Sequence, residues 1–126
     1  MRALLALMVL STSLVACGPE ATVTDLRCQQ RCQDVEDPFL LLLEADLSDP
    51  ADELAGGKLV VSVDDKEQVA LELDGLRDGT NASLLRFTLP LRFKALHNGQ
   101  TFRVGVWGRR GELETLTSTL EFAVHL

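Results

Sequence analysis

Two cysteines spaced C-x3-C, Cys28 and Cys32, are the first residues here whose types suggest chemistry. A redox pair normally has C-x-x-C spacing. Zinc would need two more ligands, and neither His97 nor His125 stands at a motif distance from the pair. The spacing alone leaves three readings open: a structural disulfide, two free thiols, or part of a redox or metal site.

Carboxylates form the second group. Asp34, Glu36 and Asp37 precede one apolar run, and Asp46, Asp49, Asp52 and Glu53 follow it. Calcium takes six to eight oxygen ligands from carboxylates and carbonyls, so Asp46, Asp49, Asp52 and Glu53 are candidate calcium ligands if they meet in space. Neither run has EF-hand spacing, and a solvated acidic loop is the competing reading. A third group is basic and aromatic. Alternation puts Trp107 on the outward parity with Arg103 and Arg109, and Arg110 follows. Trp and Arg are enriched at binding hot spots, so Trp107, Arg103, Arg109 and Arg110 are candidate protein-binding residues. Catalytic sets are missing from the pattern. There is no G-x-S-x-G, no phosphate-cradling glycine loop with a lysine, and no His spaced to serve a serine nucleophile. The expectation is a chain that is not an enzyme and holds no cofactor.

These groups must be delivered somewhere, and the N-terminus bears on where. Met1-Arg2 opens it, and Ala3 to Ala16 carry no charge. A membrane span needs about 20 predominantly apolar residues, so this run is short for one. A positive start, a short apolar centre and small residues at the end make a signal peptide. Leu14-Val15-Ala16-Cys17 resembles the lipobox of bacterial lipoproteins. The resemblance implies cleavage after Ala16, acyl chains on Cys17, and membrane attachment through them. It also implies residence in the bacterial cell envelope, facing the periplasm or the exterior. Gly18 stands where an Asp would resemble an inner-membrane retention signal, which points to the outer membrane.

Removing residues 1–16 leaves about 110, enough for one domain. Residues 17–24 then read as a lipidated tether and 25–126 as the domain. With Cys17 acylated, Cys28 and Cys32 become an even pair, and an oxidising compartment favours their disulfide. Glu20 to Asp78 hold 16 acidic and 5 basic residues, and Gly79 to Leu126 hold 3 and 6. An acidic half argues against nucleic acid as a partner.

The rest of the chain alternates with period two, the strand signature. Phe39, Leu41, Leu43, Ala45 and Leu47 share a parity, as do Leu59, Val61 and Val63, then Val69, Leu71 and Leu73. Leu85 to Ala95 and Phe102 to Val106 continue the pattern, and Leu116, Leu120, Phe122, Val124 and Leu126 form a last inward set. Pro90 must lie at a bulge, a break or an edge, because it has no N–H for a ladder. Leu26 to Val35 is the one possible helical turn. Asp64 to Glu67 and Gly108 to Gly111 read as hairpin turns. Seven candidate strands predict an all-β fold, an antiparallel seven-stranded β-sandwich.

Leu96, Gly99, Phe102, Val104 and Val106 resemble the approach to strand F in fibronectin type III and related immunoglobulin-like domains. "LSDPADELAGGKLVVSV" (Leu47 to Val63) looks like the passage between strands B and C in bacterial extracellular modules of that kind. Phe102 replaces the usual Tyr of the tyrosine corner. The resemblance covers roughly residues 37–125 and implies an immunoglobulin-like scaffold that displays loops rather than a particular activity. The functional expectation is a lipid-anchored, non-enzymatic interaction or structural module with another envelope protein as partner. The alternative is a calcium- or glycan-binding module using the acidic loops.

Overall fold

A computed structural model describes residues 20–91 and 98–125. The signal segment, Cys17, Leu96, His97, Leu126 and the end of the run expected at Leu85 to Ala95 lie outside them. Eight strands follow in order: β1 (Thr22–Gln33), β2 (Leu40–Ser48), β3 (Lys58–Val63), β4 (Lys66–Glu72), β5 (Leu84–Pro90), β6 (Thr101–Arg110), β7 (Leu113–Glu114) and β8 (Ser118–Ala123). A 3-10 turn, Leu73–Leu76, joins β4 to the loop before β5. All pairings are antiparallel. One sheet runs β1-β2-β5; the other runs β4-β3-β6, with β7 and then β8 along the far side of β6.

Alternation explains why these segments stack as two layers. Leu41, Leu43 and Ala45 lie opposite Leu89, Phe87 and Leu85 across the β2–β5 register, and all six are buried. Val61 and Val63 lie beside Val106 and Val104 in the other sheet. The two inner faces merge into one apolar cluster, as in a sandwich. Leu54 and Leu73, both from connections, are fully buried in it.

The two sides of the sandwich differ. On the β1–β8 side, the Leu26 N–H donates to Ser118 Oγ at 3.1 Å. The Gln33 amide pairs with the His125 backbone, its Nε2 donating to the carbonyl and its Oε1 accepting from the N–H, each at 2.8 Å. The other side, between the edges of β4 and β5, is bridged at one end, where the Asp78 N–H donates to Leu84 O at 2.9 Å and Arg77 pairs with Leu85, and is open beyond it toward Pro90. The Leu91 N–H donates to Phe39 O and the Leu47 N–H to Ser83 O. Odd-numbered residues of β5 therefore aim their backbone groups at β2, and even-numbered ones aim away from it, where Leu84 O meets the Asp78 N–H and Arg86 to Pro90 face the open stretch. Pro90 is the last residue of that edge strand and has no N–H to leave unpaired.

Four local expectations are corrected. The segment containing Leu26 to Gln33 is strand, not a helical turn. Its alternation is interrupted because β1 takes one extra residue between Thr24 and Arg27 and three between Cys28 and Gln33 relative to β2. The β3–β4 turn is only Asp64-Asp65, since Lys66 and Glu67 already pair with Val63 and Ser62. Arg109 and Arg110 belong to β6 and pair with Glu114 and Leu113, so the tip is Gly111-Glu112. Leu116 is 86% exposed rather than inward. Gly108 still pairs with Thr115, whereas Val106 pairs with Ser118. Two residues, Leu116 and Thr117, thus oppose Trp107 alone, and this bulge turns Leu116 out of the core.

Asp64 and Asp65 both have positive φ, 50° and 69°, as a two-residue hairpin of the mirror-image type requires. Asp64 is anchored there, its Oδ1 accepting from the Arg103 N–H at 3.0 Å. Asp65 offers only an exposed ion pair with Arg103. Asp65→Gly is therefore expected to raise stability by about 0.5 kcal/mol, read as an increase in the chemical-denaturation midpoint at unchanged slope.

Candidate functional site

The strand period places three of the four basic and aromatic candidates on one surface. Arg103, Trp107 and Arg109 alternate along β6 on the outer face of the larger sheet, and Trp107 lies opposite Val60 and Arg109 opposite Lys58. Arg110 has the other parity, and its Nη1 donates to the Glu53 carbonyl at 3.2 Å.

Each of the three is already paired. Arg109 makes a two-pronged bond to Glu67, Nη1 to Oε1 and Nη2 to Oε2, both at 3.1 Å. The Trp107 indole N–H donates to Glu114 Oε2 at 3.3 Å, and the same oxygen lies 3.7 Å from Arg109 Nη1. Arg103 meets Asp65 at 3.4 Å. Val60 is the cross-strand neighbour of both Trp107 and Ala70. It is wholly buried on this outer face yet lies apart from the main core. The Arg109–Glu67 bridge runs diagonally from the Lys58 row to the Ser62 row, and the Val60 row lies between them. Ser62 is also buried here, with its Oγ donating to Gly105 O at 3.4 Å. The surface is a charge-balanced platform around a half-buried indole, with its long side chains held by ion pairs and hydrogen bonds. Such ordering lowers the entropy cost of docking.

The same pairing sets the acid response. The hydrogen bond from Arg109 holds the Glu67 carboxyl below its ordinary value of 4.5. The Thr80 backbone N–H, then its hydroxyl, hold Asp78 below 3.8. Depressed carboxylates contribute stability that is fully present above their unfolded values and is lost as pH falls through the folded ones. The melting temperature is expected to be insensitive to these two groups above about pH 5.5 and to decline below about pH 4.5. Arg109→Gln should move the Glu67 titration, followed by NMR, back up toward its ordinary value.

The acidic candidates do not converge. Asp46 lies on β2 and takes Arg27 Nη2 at 3.2 Å. Asp49 uses both oxygens on its own loop, Oδ1 accepting from the Glu53 N–H at 2.8 Å and Oδ2 from the Leu54 N–H at 2.9 Å. Glu53 Oε1 accepts from the Ala21 N–H, and Asp52 holds a positive φ of 56° in the same loop. Asp34 and Asp37 accept from the N–H groups of Glu36 and Phe39, two residues on. Among the described residues no three His, Cys, Asp or Glu side chains form a group able to hold a metal ion.

Two features went unseen in the sequence. On the outer face of the smaller sheet, Arg27 bridges Asp25, Glu44 and Asp46, and Arg86 bridges Glu44 and Asp78. Burial works against the Arg27 charge, but the hydrogen bond to Asp46 and the surrounding carboxylates more than offset it. Glu44 and Asp46 share this face because they stand two apart on one strand, but their arginine partners lie 17 or more positions away along the chain. The second feature is an apolar groove of about 470 Å³ along the open side, lined by Val63, Val69, Leu71, Leu89 and Pro90 among others. Cys28 and Cys32 form a disulfide, with Cα atoms 4.7 Å apart. It ties together the ends of the three-residue excursion Gln29-Gln30-Arg31, which β2 leaves unmatched. His125 is exposed and contributes its backbone to the Gln33 clasp.

No family model matches this chain, and no curated protein and no solved structure matches it either.

Proposed function

We propose that this chain is a lipid-anchored protein of the bacterial envelope whose β-sandwich, immunoglobulin-like in strand arrangement, acts as a non-enzymatic protein-interaction module. The observation that carries the reading is Leu14-Val15-Ala16-Cys17 after an uncharged run, with the first described strand opening at Thr22. Cleavage at that site leaves a short tether and a domain that begins almost at once. Among the described residues, counting β7 and β8 as one bulged strand gives three strands in one sheet and four in the other, which supports the immunoglobulin-like assignment. The ordered platform around Trp107 supports a protein partner, since a rigid aromatic beside arginine is the common hot-spot composition.

Mass spectrometry of the mature protein tests the anchor. The expected N-terminus is an acylated Cys17, and Cys17→Ser is expected to move the chain from the membrane to the soluble fraction. An intact Met1 or an unmodified Cys17 refutes the anchor. Crosslinking from the outer face of β6 in intact cells tests the partner. One dominant adduct is expected, reduced about tenfold or more by Trp107→Ala. An adduct pattern unchanged by that substitution, in a protein that still melts cooperatively, removes the Trp107 face from the proposal.

A further inference from the structure

Leu116 and Leu113 are among the few large apolar side chains left in water, 86% and 39% exposed. The bulge opposite Trp107 puts Leu116 there, so its exposure follows from the register. Neither belongs to the Trp107 platform's ion pairs. Both line a cleft of about 170 Å³ together with Glu20, Ala21 and Thr22, the first described residues of the chain. Only Gly18 and Pro19 stand between Cys17 and Glu20. Three residue steps span at most about 11 Å, so the lipid attachment point is confined near this cleft. The loops at the opposite end of the sandwich, Asp34 to Phe39 and Asp64-Asp65, point away from it.

We infer that the β7–β8 bulge is a second membrane contact: Leu116, with Leu113 beside it, enters the interfacial layer of the bilayer to which Cys17 is tethered. This rests on the lipid-anchor reading given above. The physical case is one of confinement. A short tether keeps the exposed leucines within reach of the bilayer at all times, so little further ordering is needed to insert them. Apolar area leaving water then favours the inserted orientation. The cleft also carries Glu20, Glu53 and Glu114, which suit a zwitterionic surface and are repelled by an anionic one. Insertion fixes the domain upright and leaves the Trp107 face lateral to the membrane.

The test uses the acylated full-length chain with its indole relocated, Trp107→Phe with Leu116→Trp, reconstituted in zwitterionic phosphatidylcholine vesicles with brominated acyl chains. The expected result is a blue-shifted indole emission at position 116, quenched at least about twofold by the bromolipid relative to unbrominated vesicles. Hydrogen exchange on the unsubstituted acylated chain gives the second reading, with amides of residues 113–117 expected to slow on vesicle binding. A fully solvent-like, unquenched indole on a chain that mass spectrometry shows to be acylated overturns this inference and leaves the anchor standing. Exchange at 113–117 that is the same with and without vesicles does likewise. A Cys17 without acyl chains overturns the anchor and this contact together.

Discussion

Replacing Gly57 with alanine is expected to destabilise the protein by about 3 kcal/mol, lowering the melting temperature by about 15 °C. A Cβ at this position would lie 2.6 Å from Arg109 O, 2.9 Å from Leu54 O and 3.0 Å from Arg110 Cβ. Two of those atoms are backbone, so no rotamer change relieves the overlap. The Gly57 backbone is itself committed, its N–H donating to Leu54 O at 2.8 Å and its carbonyl accepting from Leu73 N–H at 3.2 Å. Relief therefore requires β3 to move away from β6 at the Lys58–Arg109 pair. The neighbouring glycine is the control. Gly56 has a φ of +76° and nothing within 4 Å of its missing Cβ. Gly56→Ala therefore costs only the conformational penalty, about 1 kcal/mol. Equal losses at both positions, measured by denaturant unfolding, would show that steric closure at Gly57 is not what matters.

That pair of glycines marks how far the sequence can be read. "ELAGG" is legible as a loop because paired glycines break any periodic element. Which glycine is needed for its φ and which for space is a fact about Arg109 and Arg110, more than fifty positions away. The same division runs through the molecule. Strands β2, β3 and the described part of β5 follow directly from parity, because each covers one face of a core and the extra residues of the bulges beside them lie on their partners β1 and β4. β1 and the β7–β8 segment were misread where β-bulges reset the parity, as at Leu116. No single-strand pattern carries that information, since a bulge is defined by the partner strand.

The candidate site divides along similar lines. Outward orientation of Trp107, Arg103 and Arg109 is a period-two statement and follows from one strand. Their neutralisation by Glu114, Asp65 and Glu67 depends on the register of β6 against its neighbours; Glu67 is 42 residues from Arg109. The acidic excess of the first half has a related explanation. Asp49 and Glu53 hold backbone N–H groups, and Asp46 holds Arg27. Clustering in sequence leaves a shared ligand and a solvated acidic loop both open, whereas the strand-to-loop change at Ser48 sends these carboxylates to different partners.

Leu54→Ala is expected to cost about 3 kcal/mol, large for a residue in an acidic surface loop. The Leu54 side chain is wholly buried. The Asp49 carboxylate holds its N–H and the Gly57 N–H holds its carbonyl, so the backbone around it has little freedom to collapse into a cavity. Gly108 makes room for it: a Cβ there would stand 2.7 Å from Leu54 Cδ1 and 3.3 Å from Cδ2. Gly108→Ala alone should therefore cost about 2 kcal/mol through overpacking. In the double variant each change removes the other's difficulty, because the new methyl at 108 occupies space that the shortened side chain at 54 vacates. The double variant is expected to be more stable than the sum of the single losses predicts, by about 1 to 2 kcal/mol. The cycle separates packing from loop chemistry. If Leu54 acts by filling the end of the core against β6, the coupling is favourable and the Asp49 bonds survive in every variant. Strict additivity would mean that the loop, rather than the Leu54–Gly108 contact, carries the stability, and Asp49→Ala would then be the costlier change.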